Sequence, residues 1–157
     1  MLDKLDHGDP ALEVKNGRGL TPLAHAAVTC GSGYMATYSQ AAEKVAALFA
    51  KGASGNVQGQ DNGTPLLIEL ALIKDGSEEV METLVKHGVD INMRWVDEFG
   101  HYITPLGGAA RMDNLTNVEA LLRMGASPFV MCSMMDQVES LSLSLSLSLS
   151  LSLCVCV

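Results

Sequence analysis

Basic clusters are what this chain most conspicuously lacks. Its ten Lys and Arg residues are scattered singly among 18 Asp and Glu, and the net charge is −8. Nucleic-acid binding depends on Lys and Arg neutralising phosphates, so neither nucleic acid nor an anionic membrane surface is expected as a partner. Cysteine is scarce too. The four residues Cys30, Cys132, Cys154 and Cys156 include no pair at metal-ligand spacing, which excludes a zinc site or disulfide framework of the usual kinds. No uninterrupted apolar run reaches the roughly 18 residues of a membrane span. The N-terminus, Met1-Leu2-Asp3-Lys4-Leu5-Asp6, is too charged for the apolar core of a signal peptide. These absences lead to the expectation of a soluble protein in a reducing setting, the cytoplasm or the nucleus.

Catalytic groupings are equally thin. The four histidines, His7, His25, His87 and His101, are dispersed. His25 lies near Cys30, which could suggest a nucleophile and its base, but its place inside a helical motif makes packing or exposure the ordinary role. Glu78, Glu79 and Glu82 read as the solvated start of a helix, where they complement the helix dipole. Gly31-Ser32-Gly33 and Gly52-Ala53-Ser54-Gly55 lack the Lys-Ser/Thr that completes a phosphate-binding loop. No catalytic residue, metal, cofactor or small-molecule substrate is therefore expected, and the chain is not expected to be an enzyme.

What is present is a repeat. Thr-Pro-Leu occurs at Thr21-Pro22-Leu23, Thr64-Pro65-Leu66 and Thr104-Pro105-Leu106. Two copies continue into an Ala pair, Ala26-Ala27 and Ala109-Ala110. Each is followed by an amphipathic segment that ends in glycine, at Gly52, Gly88 and Gly125. Aligned on that glycine, apolar residues fall at i, i+3 and i+4: Val45/Leu48/Phe49, Met81/Leu84/Val85 and Val118/Leu121/Leu122. This spacing makes one helical face. The glycine suits the left-handed position that closes a helix, while Thr suits an N-cap and Pro a first helical residue. The pattern predicts a unit of helix, loop, helix and extended connection, with helices starting near each Thr and ending near each Gly.

Thr-Pro-Leu with paired helices resembles the ankyrin repeat, whose period is about 33 residues. The spacings here are 43 and 40 residues, and the excess is assigned to loops: ten residues between Ala27 and Gly52, three between Leu70 and Gly88, four between Gly88 and Thr104. The His that follows Thr-Pro-Leu in the family is replaced by Ala24, Leu67 and Gly107, and Gly107-Gly108 adds two glycines to a helix interior at a cost of roughly 0.5–1 kcal/mol each, so a weaker array is expected. Leu5 to Pro10 reads as the end of a preceding unit. The resemblance implies an all-α, ankyrin-type solenoid of helix-loop-helix repeats with hairpin-like connections: a partial leading repeat at 1–16, repeats at 17–56, 60–96 and 97–130, and a low-complexity tail at 131–157.

In the tail, Leu and Ser alternate from Leu141 to Leu153, followed by Cys154-Val155-Cys156-Val157. A CT dinucleotide tract read in triplets encodes only Leu and Ser, and a TG tract only Cys and Val. The tail thus reads as translated microsatellite sequence, disordered or an artefact of the gene model. If made, its uncharged, proline-free apolar face would favour aggregation.

The resemblance implies a protein-interaction module or adaptor that works through a concave face and loop tips. The alternative is a regulatory ankyrin fragment of a larger multidomain protein, an enzyme, channel or ligase, whose active domain is missing from this chain. The expected partner is another protein. Of seven aromatic residues, five lie in or beside the enlarged segments: Tyr34, Tyr38, Trp95, Phe99 and Tyr102. Aromatics on protruding loops are typical of protein recognition. The candidate partner-binding residues are accordingly Arg94, Trp95, Phe99 and Tyr102, on the connection that is four residues long for the family.

Overall fold

A computed structural model describes residues 8–28, 38–59, 63–73 and 77–130. It is mainly helical. A 3₁₀ turn at Pro10–Glu13 precedes α1 (Pro22–Val28), α2 (Tyr38–Ala50), α3 (Leu66–Leu72) and α4 (Glu78–Lys86); a two-stranded antiparallel ribbon, β1 (Trp95–Val96) with β2 (Tyr102–Ile103), leads into α5 (Pro105–Arg111) and α6 (Leu115–Arg123). The helices pack in successive pairs, α1 on α2, α3 on α4 and α5 on α6. Adjacent pairs meet through α1, α3 and α5 in one layer and α2, α4 and α6 in the other.

The helix ends follow from the residues that cap them. Thr21 and Thr104 each accept a hydrogen bond from the backbone N–H three residues on, of Ala24 at 3.3 Å and of Gly107 at 3.0 Å. Proline follows each, its fixed φ ready for the first turn. At the other end, α2, α4 and α6 all stop two residues short of their glycine, and those glycines have φ of +92°, +89° and +96°. Two further bonds close each end: Gly52, Gly88 and Gly125 donate to the carbonyls of Phe49, Val85 and Leu122, while Ala53, Val89 and Ala126 donate to those of Leu48, Leu84 and Leu121. These are the paired bonds of a Schellman closure, in which a Cβ at the glycine would be penalised. Gly8 also has positive φ, and its N–H donates to Lys51 O at the end of α2.

The core runs through all three pairs. Leu23, Ala27, Val45, Leu48, Leu66, Leu70, Met81, Leu84, Leu106, Ala109 and Leu121 are buried in it. Small residues matter where layers meet: a Cβ on buried Gly108 would stand 3.3 Å from a Leu72 methyl, so α5 lies close against α3. Gly108 thus has a packing use that partly offsets its helical cost. One buried region is polar. The Asn117 Nδ2, on α6, donates to the carbonyls of Ile73 (2.9 Å) and Ala71 (3.2 Å) at the end of α3. Asn114 caps α6 by accepting from Asn117 N and also donates to Ile73 O at 2.8 Å. Ser77 Oγ donates to Leu70 O at 2.9 Å. The last carbonyls of α3 are therefore satisfied by Ser77 at the start of α4 and by Asn114 and Asn117 from the following pair.

Three expectations from the sequence need correction. Thr64 does not cap α3: Pro65 stands at the N-cap position without a side-chain bond, and Leu66 N–H donates back to Val57 O, so Thr64 and Pro65 belong to the extended connection. The ten extra residues of the first unit do not all fall in a loop, because α2 has 13 residues where α4 and α6 have nine each, and four of the ten lengthen the helix. The 95–103 ribbon straddles the boundary drawn between residues 96 and 97. His7, Cys30, Tyr34, the leading segment before Gly8 and the Leu/Ser tail lie outside the described residues. No helix among the described residues is long and apolar enough to cross a membrane.

Candidate functional site

The enlarged connection between α4 and α5 is a β-hairpin held at both feet. On its leading side, Asp90 Oδ1 accepts from Asn92 N–H at 2.9 Å, and Asn92 Oδ1 in turn accepts from Ser127 N–H at 2.8 Å, beyond α6. On its trailing side, Ile103 is buried and Thr104 caps α5. The two strands pair Trp95 with Ile103 and Val96 with Tyr102. Directly opposed residues share a face of the ribbon, and neighbours along a strand alternate. One face therefore carries Trp95 and Ile103, the other Val96 and Tyr102.

Asp97 builds the tip. Its N–H donates to His101 O and its C=O accepts from Gly100 N–H, both at 3.0 Å. Its Oδ1 accepts from Phe99 N–H and His101 N–H, both at 2.9 Å, and the His101 ring Nδ1 lies 3.3 Å from Oδ2. Gly100, at φ +84°, completes the turn. Three-residue hairpin loops commonly end in such a left-handed residue. Burial pushes the Asp97 carboxyl up, but the N–H groups of His101 and Phe99, together with the His101 ring, outweigh it and hold the group below its ordinary value of 3.8. Phe99 and His101 lie side by side at the tip, ring centroids 6.2 Å apart.

A tip of the same construction stands before α1. Asn16 N–H donates to Leu20 O, Gly19 N–H donates to Asn16 O, and Asn16 Oδ1 accepts from Arg18 N–H and Leu20 N–H. The position occupied by Phe99 in the later tip is Arg18 in this one. The shared sequence signal is an Asn or Asp followed three residues later by glycine, which the reading of the Thr-Pro-Leu motifs passed over.

The four residues singled out from sequence do not form one patch. Phe99 is 73% exposed and Tyr102 48%, with Val96 beside Tyr102 at 46%. Arg94 is exposed. Trp95, by contrast, is half-buried on the face that also carries buried Ile103. Val96 is the residue that sequence reasoning missed. Strand alternation from Trp95 would have placed it opposite Tyr102, once the Asp97-to-Gly100 turn had fixed the register.

Other candidates stay apart. His25 is an exposed residue of α1, and Glu78 and Glu79 lie in the first turn of α4. Glu82 pairs with Lys86 at 2.9 Å, one turn along the helix, and that hydrogen bond and charge lower its pKa. His87 stacks on Phe49 of the preceding pair, centroids 4.3 Å apart and rings 5° from parallel, while its Nδ1 lies 2.8 Å from Thr83 O. Among the described residues no group of three or more His, Cys, Asp or Glu side chains could hold a metal ion. No family model matches the sequence, and no curated protein matches it.

Proposed function

We propose that this chain is an ankyrin-type solenoid that acts as a protein-binding module or adaptor, and that the outward face of the 95–103 hairpin is its principal docking surface. Three successive helix pairs support the first part: they share a Thr-Pro-Leu start or its equivalent, a glycine closure with the same two hydrogen bonds, and an extended connection. The observation that carries the second part is the exposure of Val96, Phe99 and Tyr102 together on a turn whose backbone is fixed by Asp97. A fixed turn has little conformational freedom to lose on binding, so contact area translates more directly into affinity. Exposed aromatics also carry an aggregation cost that a partner would remove. Trp95, half-buried and paired with buried Ile103, is assigned a supporting role beneath this face.

The same reading makes the chain a non-enzyme without cofactor, and makes its partner another protein, in the cytoplasm or nucleus. The regulatory portion of a larger multidomain protein would use the same surface. The test compares proteins captured from source cells by wild type, by a Phe99→Ser/Tyr102→Ser variant and by Trp95→Ala. A specific partner should be lost from the first variant at unchanged melting temperature, since truncating central aromatic anchors costs about 2 kcal/mol or more each. Trp95→Ala should instead lower the melting temperature. Equal capture by wild type and the double variant would refute the assignment.

A further inference from the structure

An asparagine followed by glycine is open to attack by its neighbour's backbone nitrogen, because glycine has no Cβ to keep that nitrogen away from the side-chain carbonyl carbon. Such a pair, Asn16-Gly17, stands at the tip before α1. Both residues are exposed, and no atom lies within 4 Å of the place that a Cβ on Gly17 would take. Among the described residues, neither Gly17 N–H nor Asn16 Nδ2 has a hydrogen-bond partner. Lys15 and Arg18 flank the pair and are exposed as well. Cations beside a group favour its deprotonated form, here the attacking nitrogen of Gly17.

The folded tip holds this reaction back. Asn16 Oδ1 accepts from Arg18 N–H at 2.8 Å and from Leu20 N–H at 3.1 Å. Donors to a carbonyl oxygen lie near the plane of its amide, so these bonds fix that plane as well as the oxygen. The backbone of Asn16 is fixed too: Asn16 N–H donates to Leu20 O and Gly19 N–H to Asn16 O, both at 2.9 Å. Closing a ring between the two residues needs Gly17 N over the face of Asn16 Cγ. The side-chain amide must turn out of both of its bonds to present that face.

We propose that Asn16 is a site of spontaneous deamidation, slow while the tip is formed and fast when the tip opens. Gly17 N gives up its proton and bonds to Asn16 Cγ. The Cγ–Nδ2 bond breaks, and Nδ2 leaves as ammonia with that proton. Water then opens the succinimide ring. Breaking the bond from Gly17 N to Cγ gives aspartate with the backbone as before. Breaking the bond from Gly17 N to the main-chain carbonyl carbon of residue 16 gives isoaspartate, whose backbone runs through the side chain and is one methylene longer. The two products meet the tip differently. Asp97 makes with Phe99 N–H and His101 N–H the bonds that Asn16 makes with Arg18 N–H and Leu20 N–H, so aspartate fits a tip of this construction. Isoaspartate moves its carboxylate and its N–H out of register with them. Either product sets a carboxylate between Lys15 and Arg18. This inference does not depend on the hairpin docking another protein.

Ageing the full chain at mildly alkaline pH, in buffer and in guanidinium chloride, tests it. Fragmentation mass spectrometry reads conversion at residue 16 separately from the second such pair, Asn62-Gly63. Conversion should appear in both conditions and run about tenfold or more slower in buffer, because two hydrogen bonds must open first. Asn16→Asp should keep the wild-type urea midpoint, while Asn16→Ala, which loses both bonds, should lower it. Equal rates in the two conditions, the absence of conversion at residue 16 in either one, or an Asn16→Asp midpoint as low as that of Asn16→Ala would each overturn the proposal.

Discussion

Replacing Asn117 by alanine should destabilise the protein by about 1.5–3 kcal/mol, a large fraction of a typical domain's stability of about 5–15 kcal/mol. The side chain is fully buried and its amide serves carbonyls at the end of α3. Ile73 O retains Asn114 and Leu70 O retains Ser77 after the change, but Ala71 O loses its Asn117 donor. The losses are one or two net hydrogen bonds at about 0.5–1.5 kcal/mol each, plus the desolvation of an unpaired acceptor. Alanine returns about half a kcal/mol through its better helix propensity. Urea denaturation followed by circular dichroism should show a lower midpoint at unchanged m-value, the sign of altered stability without altered compactness. Asn117→Leu should not recover the loss, because it restores volume without a donor. Asn114→Ala should cost about 1 kcal/mol through its cap, and the double variant should cost less than the sum, since both amides serve Ile73 O. A change below about 0.5 kcal/mol for Asn117→Ala, the range of an ordinary surface substitution, would refute the claim that this network joins the second and third helix pairs.

Further outcomes follow from the same geometry. Asp113 sits at φ +53° between α5 and α6, where a Cβ costs about 1–2 kcal/mol; Asp113→Gly should raise the denaturation midpoint, by less than that because glycine also frees the unfolded chain. The Asp97 carboxyl is held below its ordinary 3.8, so its contribution is complete above that value and lost as pH falls through the lower, folded value. Emission from Trp95, the only tryptophan, should therefore report an acid transition of the hairpin that Asp97→Asn shifts or abolishes. His87→Ala should remove the stack on Phe49 and lower stability by about 0.5–1.5 kcal/mol, measured by the same urea titration.

The helix starts at Pro22 and Pro105 and the three glycine closures were legible in the sequence because each is fixed locally. Proline sets φ covalently, and glycine alone enters the left-handed region at little cost. The start of α3 escaped that logic because the bridge between Gln58 and Pro65 recruits Thr64 into the connection. The extension of α2 was not legible either, since Tyr38 to Ala41 could equally close a loop until the helix packs. Asn117 reads as an ordinary polar residue on an amphipathic helix. Only the approach of α3 gives it carbonyls to bind, and no spacing within α6 announces that. For the hairpin, the aromatic content picked out the segment but not the sharing of its side chains between two faces, because only the strand register pairs Trp95 with buried Ile103 and Val96 with Tyr102.

The central claim is that Val96, Phe99 and Tyr102 form a protein-docking surface. A photo-crosslinking amino acid placed at Phe99 in the full chain, expressed in its source cells, tests it most directly, with Glu43 on the exposed surface of α2 as control. A discrete protein adduct formed at position 99, absent at position 43 and lost when Val96→Ser and Tyr102→Ser are added, is the predicted result. The absence of any adduct at position 99, or the same adducts at both positions, would contradict the account.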